Sequence, residues 1–172
     1  MAEIWRTLAK WRVTLGYVLG AAALWFADPT WRSLTIGAAV GAIGEAIRIW
    51  AAGHLEKGRE VTTSGPYAVT RHPLYLGSAV MGAGFAIAAH RLLVAVLVFA
   101  YLAVTIVAAI RSEEAHLTEK FGAQYPNYRD GRAAPVPRPF SFERAWRNRE
   151  YRALVGFAAV LGLLAVRLLI RL

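Results

Sequence analysis

The residue types best suited to chemistry are gathered in one stretch, Thr62–Gly77, which reads TTSGPYAVTRHPLYLG. Within it Pro73 predicts the start of a helix, because proline is favoured at the first helical position, where its missing N–H would have no partner. Arg71 and His72 are thereby placed at a helix N-terminus, whose free N–H groups and positive partial charge suit an anionic or polar ligand group. The composition is equally consistent with a membrane-entry loop that carries interfacial aromatic residues.

A second segment, Arg111–Tyr128, carries its polar and aromatic residues at three- and four-residue steps. This period predicts an amphipathic helix that presents Glu113 on its apolar face. The other members of that face are Leu117, Phe121, Tyr125 and Tyr128. Glu114 falls about 100° round the helix and is assigned to the surface. A carboxylate on an apolar face needs a partner, so Glu113 is a candidate to pair with a cationic ligand, with Arg71 or with Arg48.

The elements that must position these residues are membrane helices. Hydrophobic residues make up 57% of the 172 residues and charged ones 18%, which is more apolar than an average soluble domain. The apolar residues fall into long runs, which predict one domain, residues 1–172, folded as an all-α polytopic membrane bundle of about five transmembrane helices. The predicted spans are Val13–Ala27, Ser33–Ala52, Leu74–Ala89, Leu92–Ile110 and Leu154–Ile170.

Charge distribution predicts the orientation. The net charge is +9, and the basic residues lie between the apolar runs. This placement favours a role of the charge in membrane topology and in contact with anionic lipid over binding of nucleic acid. If the N-terminus is cytoplasmic, Met1–Arg12, Gly53–Arg71 and Arg111–Arg152 hold fifteen of the twenty Lys and Arg residues on that side. This asymmetry predicts a multi-pass protein, of a bacterial inner membrane, with both chemical segments at the cytoplasmic face. The basic, aromatic stretch Phe140–Arg152 is predicted to lie on an anionic membrane surface.

Several other features bound the chemistry. Cysteine is absent, which excludes a disulfide frame and a thiolate nucleophile. No His and carboxylate cluster has metal-ligand spacing, so no metal site is predicted. Glu45 and Arg48 lie three residues apart in a span, and we interpret them as a structural ion pair rather than a pocket wall. His54 and His116 are predicted to be structural or solvated.

The sequences of both segments resemble motifs of a known protein family. GPYAVTRHPLYLG, at Gly65–Gly77, resembles the signature of the isoprenylcysteine carboxyl methyltransferase family of integral-membrane methyltransferases. The pair Glu113-Glu114, followed by FGAQYPNY at Phe121–Tyr128, resembles the second block of that family, in the same order. The resemblance covers roughly Glu45–Pro137, and two separated motifs in order are more specific than either alone. It implies S-adenosylmethionine as cofactor and methyl transfer to a lipophilic acceptor, an isoprenylcysteine-type carboxylate on a prenylated substrate.

The resemblance also assigns site residues. The positions that match the cofactor contacts of the family are Arg59, Glu60, Val61, Thr62, Tyr67, His72, Pro73, Leu74, Tyr75 and Glu113. Arg71 and Glu113 are predicted to be the catalytic residues, with Arg71 holding a carboxylate and Glu113 pairing with the amino group of the cofactor. Tyr67 and Tyr75 would pack on its adenine or sulfonium. A carboxylate acceptor needs no general base, whereas an amine or thiol would need His72, His54 or Tyr75 to take a proton.

Two positions depart from the family pattern. Animal members have a histidine where this chain has Arg59, and a substrate-contacting arginine where it has Ala109. The acceptor half of the site is therefore less well matched than the cofactor half. Other interpretations are methylation of a phospholipid amine or a small thiol, a nicotinamide-dependent activity like that of membrane sterol reductases, and a non-enzymatic membrane scaffold or subunit. Tyr125 and Tyr128 are predicted to be packing and interfacial residues.

Overall fold

A computed structural model describes residues 16–170 of the chain, and all its helices and turns lie in one bundle. The elements in order are α1 (Gly16–Phe26), α2 (Trp31–His54), a 3-10 turn (Gly65–Ala68), α3 (Pro73–Ala89), α4 (Leu92–Phe121), α5 (Gln124–Arg129), α6 (Phe142–Arg147) and α7 (Tyr151–Ile170). The described part contains no strand, which confirms the predicted all-α fold.

Three helices are long and apolar enough to cross a membrane: α2 over Trp31–Ala52, α4 and α7. The described part of α1 and the whole of α3 are apolar but shorter. Five apolar helices therefore occupy the five predicted span positions, and the predicted start of the first span, at Val13, lies outside the described residues. The pattern is that of an integral membrane bundle.

Local sequence explains where the helices begin and turn. Thr30 and Ser33 form a reciprocal capping box at the start of α2, with Ser33 N donating to Thr30 Oγ1 at 3.0 Å. Pro73 occupies the first turn of α3, as predicted. His90 adopts a left-handed conformation with φ of 50°, so the chain reverses at once into α4. The chain therefore forms a tight hairpin at His90-Arg91.

Helices α2 and α3 pack backbone against backbone through glycines. A Cβ added to Gly84 would lie 2.5 Å from the backbone N of Gly41 and 2.6 Å from the backbone O of Gly37. A Cβ on Gly44 would lie 2.6 Å from Gly77 O. Only glycine permits this approach, which is a common way for membrane helices to associate.

One end of the bundle, here called the closed end, is filled by small apolar side chains. Its buried members are Ala23, Ala27, Leu34, Ala88, Ala89, Val94 and Leu164. Two hydrogen bonds connect the elements that meet at this end: the backbone N–H of Asp28 donates to Ala89 O at 2.8 Å, and Arg167 Nη1 donates to Leu24 O at 2.6 Å. The closed end gathers the C-terminal ends of α1, α3 and α7 and the N-terminal end of α2.

Helix α4 differs from its prediction. The sequence predicts a span that ends at Ile110 and a separate amphipathic segment after it, but α4 continues for 30 residues to Phe121. The helix ends at Gly122, whose φ of 54° is readily adopted by glycine. Since no glycine or proline interrupts residues 92–121, the lower part of α4 extends the span and projects Glu113 and Glu114 beyond its most apolar part.

The segment 133–150, here called the strap, lies across the loop that follows α2. Ser141 N donates to Gly53 O at 3.1 Å, and Asn148 Nδ2 donates to the backbone oxygens of Ala52 at 2.9 Å and Leu55 at 2.8 Å. Val136 N donates to Thr63 Oγ1 at 2.9 Å. These contacts fix the loop without a large apolar core.

Ion pairs fasten the strap at three further points. Arg138 pairs with Glu60 at 2.7 Å, and Arg147 pairs with Glu56 at 2.9 Å. The third pair joins Glu150 to Arg48 of α2 at 2.6 Å. The predicted basic stretch Phe140–Arg152 is therefore divided between α6, a turn and α7, and part of its charge is used inside the protein.

Candidate functional site

The end of the bundle opposite the closed end holds a cavity of about 470 Å³. Its walls come from the loop after α2, the start of α3, the lower part of α4 and α5. The lining residues are Leu55, Lys57, Gly58, Glu60, Val61, Thr62, Tyr67, Arg71, His72, Pro73, Leu74, Tyr75, Ala109, Ser112, Glu113, His116, Leu117, Lys120, Phe121, Tyr125 and Tyr128. This volume is within the range of sites that hold small molecules and cofactors.

The loop before α3 carries Tyr67 into the cavity wall. Gly65 has a φ of 56°, and a Cβ there would lie 2.6 Å from the His54 ring, so the turn packs tightly against the end of α2. Tyr67 is buried, and its backbone oxygen accepts a 2.6 Å hydrogen bond from the hydroxyl of Tyr128. The loop and α5 are thus joined across the cavity by a direct contact.

A three-residue network lies at the start of α3. His72 Nε2 is 3.0 Å from Glu114 Oε1, and Arg71 Nη1 is 3.3 Å from the same oxygen. With Nε2 occupied by the carboxylate, Nδ1 is the ring nitrogen of His72 that remains for a ligand. Glu114 was expected at the surface, but it connects α4 to the predicted motif. The expectation failed because the last turns of α4 lie close to the start of α3, so that Glu114 contacts protein as well as Glu113.

Glu113 lines the cavity together with several aromatic side chains. Four of them are tyrosines: Tyr67, Tyr75, Tyr125 and Tyr128. Burial, with Glu113 as the next cause, raises the pKa of the Tyr67 hydroxyl far above its ordinary value, and burial raises the pKa of Tyr128 to about 12. Both hydroxyls are therefore protonated at neutral pH. A carboxyl group that shares a cavity with neutral aromatic rings favours a cationic ligand group.

The structure brings together most of the residues that the sequence singles out. Ten line the cavity: Glu60, Val61, Thr62, Tyr67, Arg71, His72, Pro73, Leu74, Tyr75 and Glu113. Arg59 is placed elsewhere, since its guanidinium is 73% exposed and lies 3.8 Å from Glu56 on the outer side of the loop. The part that the ten residues play in binding stays a prediction.

The intramembrane charges belong to the scaffold rather than to the cavity. Arg48 Nε lies 4.0 Å from Glu45 Oε2, which confirms the predicted ion pair, and 2.6 Å from Glu150. Arg48 also donates to the backbone oxygen of Leu74 at 3.3 Å and to the hydroxyl of Ser78. Because Leu74 lines the cavity, Arg48 supports the first turn of α3 from behind.

Sequence reasoning missed several lining residues. Lys57 and Lys120 were counted only toward topology, His116 was assigned to solvent or structure, and Tyr125 and Tyr128 were assigned to packing. The helical period predicted Tyr125 and Tyr128 on the face of Glu113 in one helix, but α4 ends before Gly122 and the two tyrosines line the cavity from α5. No sequence signal predicts that Lys57 and Lys120 line the same cavity, because the two lie on separate elements.

Taken together, fold and cavity define an integral membrane helix bundle with a polar ligand cavity beyond its apolar spans. Comparison with known proteins is more specific. The sequence profile described as phospholipid methyltransferase matches residues 11–124, and the chain belongs to this family. The family is part of the same superfamily of integral-membrane methyltransferases as the isoprenylcysteine carboxyl methyltransferases, so the resemblance to that superfamily is confirmed and the narrower assignment is not.

Two curated relatives carry names from metal resistance. The chain is 31% identical over 137 residues to the nickel-cobalt-cadmium resistance protein NccN of Alcaligenes xylosoxydans xylosoxydans, covering 74% of this chain and 63% of the relative. It is 34% identical over 125 residues to the cobalt-zinc-cadmium resistance protein CzcN of Cupriavidus metallidurans, covering 66% of this chain and 56% of the relative. The matches thus span less than two thirds of either relative. No solved structure shows significant similarity to the chain.

Proposed function

We propose that this membrane methyltransferase uses S-adenosylmethionine to methylate the amine headgroup of a phospholipid. Family membership supports methyl transfer in a membrane. The observation that carries the proposal is the position of Glu113, a cavity carboxylate beside a wall of four tyrosines. Such a wall suits the sulfonium of the cofactor and the ammonium of an amine acceptor, both of which are cations.

The cavity residues fit the cofactor in their chemistry. Carboxylate and amino groups need donors and an acceptor, and the wall offers Arg71 and the first turn of α3 on one side and Glu113 on the other. The apolar surfaces of Tyr67 and Tyr75 offer a place for an adenine ring. These are the residues that we expect to hold the cofactor.

The cofactor, when bound, supplies a methyl carbon that its sulfonium makes electrophilic. The work left to the protein is to align an acceptor with that carbon and to exclude water. Tyr67, Tyr125 and Tyr128 surround the space with aromatic surface, and the Tyr128 hydroxyl closes one wall by its hydrogen bond to the Tyr67 backbone. Neither task requires a nucleophilic side chain.

An amine acceptor must lose a proton before it attacks. His72 is the candidate base, because Glu114 occupies Nε2 and leaves Nδ1 as the nitrogen that can accept. His54, another candidate from the sequence, is not among the lining residues, and its Nδ1 lies 3.3 Å from Ser64 Oγ. The arrangement therefore supports proton acceptance at His72 Nδ1.

We prefer an amine over the isoprenylcysteine-type carboxylate that the first resemblance implied, and Ala109 supports this choice. Ala109 lines the cavity at the position where carboxyl methyltransferases of animals carry a substrate-contacting arginine. The methyl side chain of Ala109 cannot form an ion pair with a carboxylate. Methylation at a cytoplasmic membrane face, in contact with anionic lipid, is retained as part of this proposal because the charge asymmetry of the loops supports that orientation.

The test is methyl transfer by purified protein in lipid nanodiscs with methyl-labelled S-adenosylmethionine. We expect label in phosphatidylethanolamine and none in a prenylated cysteine with a free carboxylate. Glu113→Gln should reduce the rate roughly 100-fold, the effect of losing a close electrostatic partner in the reaction site. Glu119→Gln, an exposed carboxylate on the same helix outside the cavity, is the matched control.

Binding of the cofactor separates the alternatives. Calorimetry should detect saturable S-adenosylmethionine binding to wild type, weakened by Glu113→Gln and by His72→Ala in folded protein. Binding together with label in the prenylated cysteine would overturn the amine assignment. Folded wild type that binds no S-adenosylmethionine would overturn the methyltransferase proposal, and nicotinamide binding or a scaffold role would then be the next candidates.

A further inference from the structure

A pair of lysines lines the solvent-exposed side of the cavity. Lys57 belongs to the turn after α2 and Lys120 to the last turn of α4, so they are distant in sequence. A Cβ built on Gly58 would lie 3.5 Å from Lys120 Nζ, which means that the Lys120 ammonium reaches over the turn that carries Lys57. Lys57 and Lys120, here called the lysine pair, therefore lie on adjoining segments of the cavity wall.

The lysine pair has no acidic partner in the part of the chain that the structure describes. Two carboxylates of the loop after α2 are already engaged: Glu56 pairs with Arg147 at 2.9 Å and with Arg144 at 3.6 Å, and Glu60 pairs with Arg138 at 2.7 Å. Lys120 contacts the ring of Phe121, at 5.8 Å from Nζ to the ring centroid. Two cations that line one cavity without an acidic partner favour an anion on that side.

The use of lysine at this place is itself unusual for the chain. Of twenty basic residues only three are lysines, Lys10, Lys57 and Lys120, and the rest are arginines. Lys57 and Lys120 both line the cavity, whereas Arg71 is the one arginine among the lining residues. An ammonium is a compact point charge that binds phosphate oxygens without the planar geometry that arginine requires.

The side chains of α4 that line the cavity change from acidic to basic along the helix. Glu113, His116 and Lys120 all line the cavity, and the backbone positions of Glu113 and Lys120 are separated by seven helical steps, about 10 Å along the helix axis. The cavity thus offers a negative group at one end and positive groups at the other. This arrangement is complementary to a zwitterion that carries an ammonium and an anionic oxygen.

We infer that the lysine pair is an anion subsite that holds the phosphodiester of an aminophospholipid acceptor, with the ammonium of that headgroup directed toward Glu113. The inference rests on the proposed function and adds to it the residues that recognise the phosphate. The same oxygens could come from free phosphate or from the carboxylate of the cofactor, so the experiment separates these sources.

The test compares the double variant Lys57→Gln/Lys120→Gln with Arg132→Gln/Arg152→Gln, which loses the same charge from exposed positions outside the cavity. In mixed micelles, the lysine variant should raise the KM for phosphatidylethanolamine at least tenfold and leave the KM for S-adenosylmethionine unchanged. Transfer to a long-chain primary amine, which has no phosphate, should be equal in wild type and lysine variant. The arginine variant should match wild type throughout.

A binding measurement makes the subsite testable without turnover. Calorimetry with glycerophosphoethanolamine should give an affinity that the lysine variant loses by tenfold or more, and inorganic phosphate alone should bind more weakly than this headgroup. A rise in the KM for S-adenosylmethionine would assign the lysines to the cofactor and overturn the inference, as would unchanged lipid KM and headgroup binding. If wild type binds the headgroup but methylates no amine, the proposed reaction fails while the subsite stands.

Discussion

The two ends of this bundle are held together by different forces. The closed end contains buried alanines, Val94 and Leu164, and is stabilised by close packing of small apolar groups. The cavity end has few buried apolar side chains, and its loop and strap are fixed by ion pairs and backbone hydrogen bonds. These ion pairs and hydrogen bonds of the loop and strap are here called the polar frame. The difference teaches that an open ligand cavity in a small membrane protein needs such a frame, since filling the cavity with apolar side chains would remove the site.

The largest effect is expected from breaking the polar frame at Arg48. Arg48→Met leaves Glu45 and Glu150, which are 3% and 6% exposed, without a cation. Loss of one partner from a buried ion pair typically costs about 3–5 kcal/mol, so we expect a large fall in the unfolding temperature in detergent. Adding Glu150→Gln to this variant should restore part of the loss. Arg91→Met, which removes an exposed pair with Asp28, should cost less than about 1 kcal/mol.

The next effect tests the packed part of the comparison. Gly84→Val would place a Cβ against the backbone of α2 at Gly41 and Gly37, where no flexible side chain can move aside. Overpacking costs about 1–3 kcal/mol, so thermal unfolding should shift down by several degrees. Gly156→Val is the matched control, because nothing lies within 4 Å of a Cβ there. Equal shifts in the two variants would contradict the close approach of α2 and α3.

Glu114 tests whether the polar frame also serves the reaction. Glu114→Gln removes the charge that His72 and Arg71 share but keeps a side chain of the same size. Loss of a charge-assisted hydrogen bond of about 1.5 kcal/mol predicts a tenfold fall in methyl transfer with little change in unfolding temperature. Glu119→Gln should retain wild-type rates. A normal rate in Glu114→Gln would limit the network to holding α3 against α4.

The smallest effect is a pH dependence that belongs to the cavity end. His54 lies two residues beyond the apolar span Trp31–Ala52, and its burial, followed by the charges of Arg144 and Arg138, lowers its pKa. The unfolded chain takes up the proton near pH 6.5 and the folded chain only at lower pH. Stability should therefore be fully present above about pH 6.5 and fall as the pH decreases below it, by at most about 1.4 kcal/mol per pH unit.

The control for this dependence is a second histidine. His54→Asn should flatten the decline of unfolding temperature below pH 6.5, whereas His90→Asn at the hairpin turn should leave the decline as it is. Asparagine tolerates the left-handed conformation of residue 90, so the control preserves that turn. An unchanged slope in His54→Asn would show that another group governs the acid response.

Much of the fold follows from local sequence because hydropathy and helix signals are local. The apolar runs predict all five apolar helices, and Pro73 predicts the start of α3. The extent of α4 was underestimated, because a change from apolar to amphipathic composition at Arg111 indicates a change of surroundings and not a helix end. Most of the strap was predicted only as a basic segment on the membrane surface, and its contacts were not predicted, since they join residues about 75 to 100 positions apart.

The sequence by itself determined that this chain is a membrane helix bundle, because long apolar runs need no tertiary information, and it predicted that Tyr67, His72 and Glu113 belong to one site. Only the tertiary structure decided that Glu114 contacts His72, that Arg59 lies outside the cavity and that Lys57 and Lys120 line it together. The period of a helix gives the angle between neighbouring side chains. The rotation and position of α4 against α3 and the loop, which packing sets, decide what each of them touches.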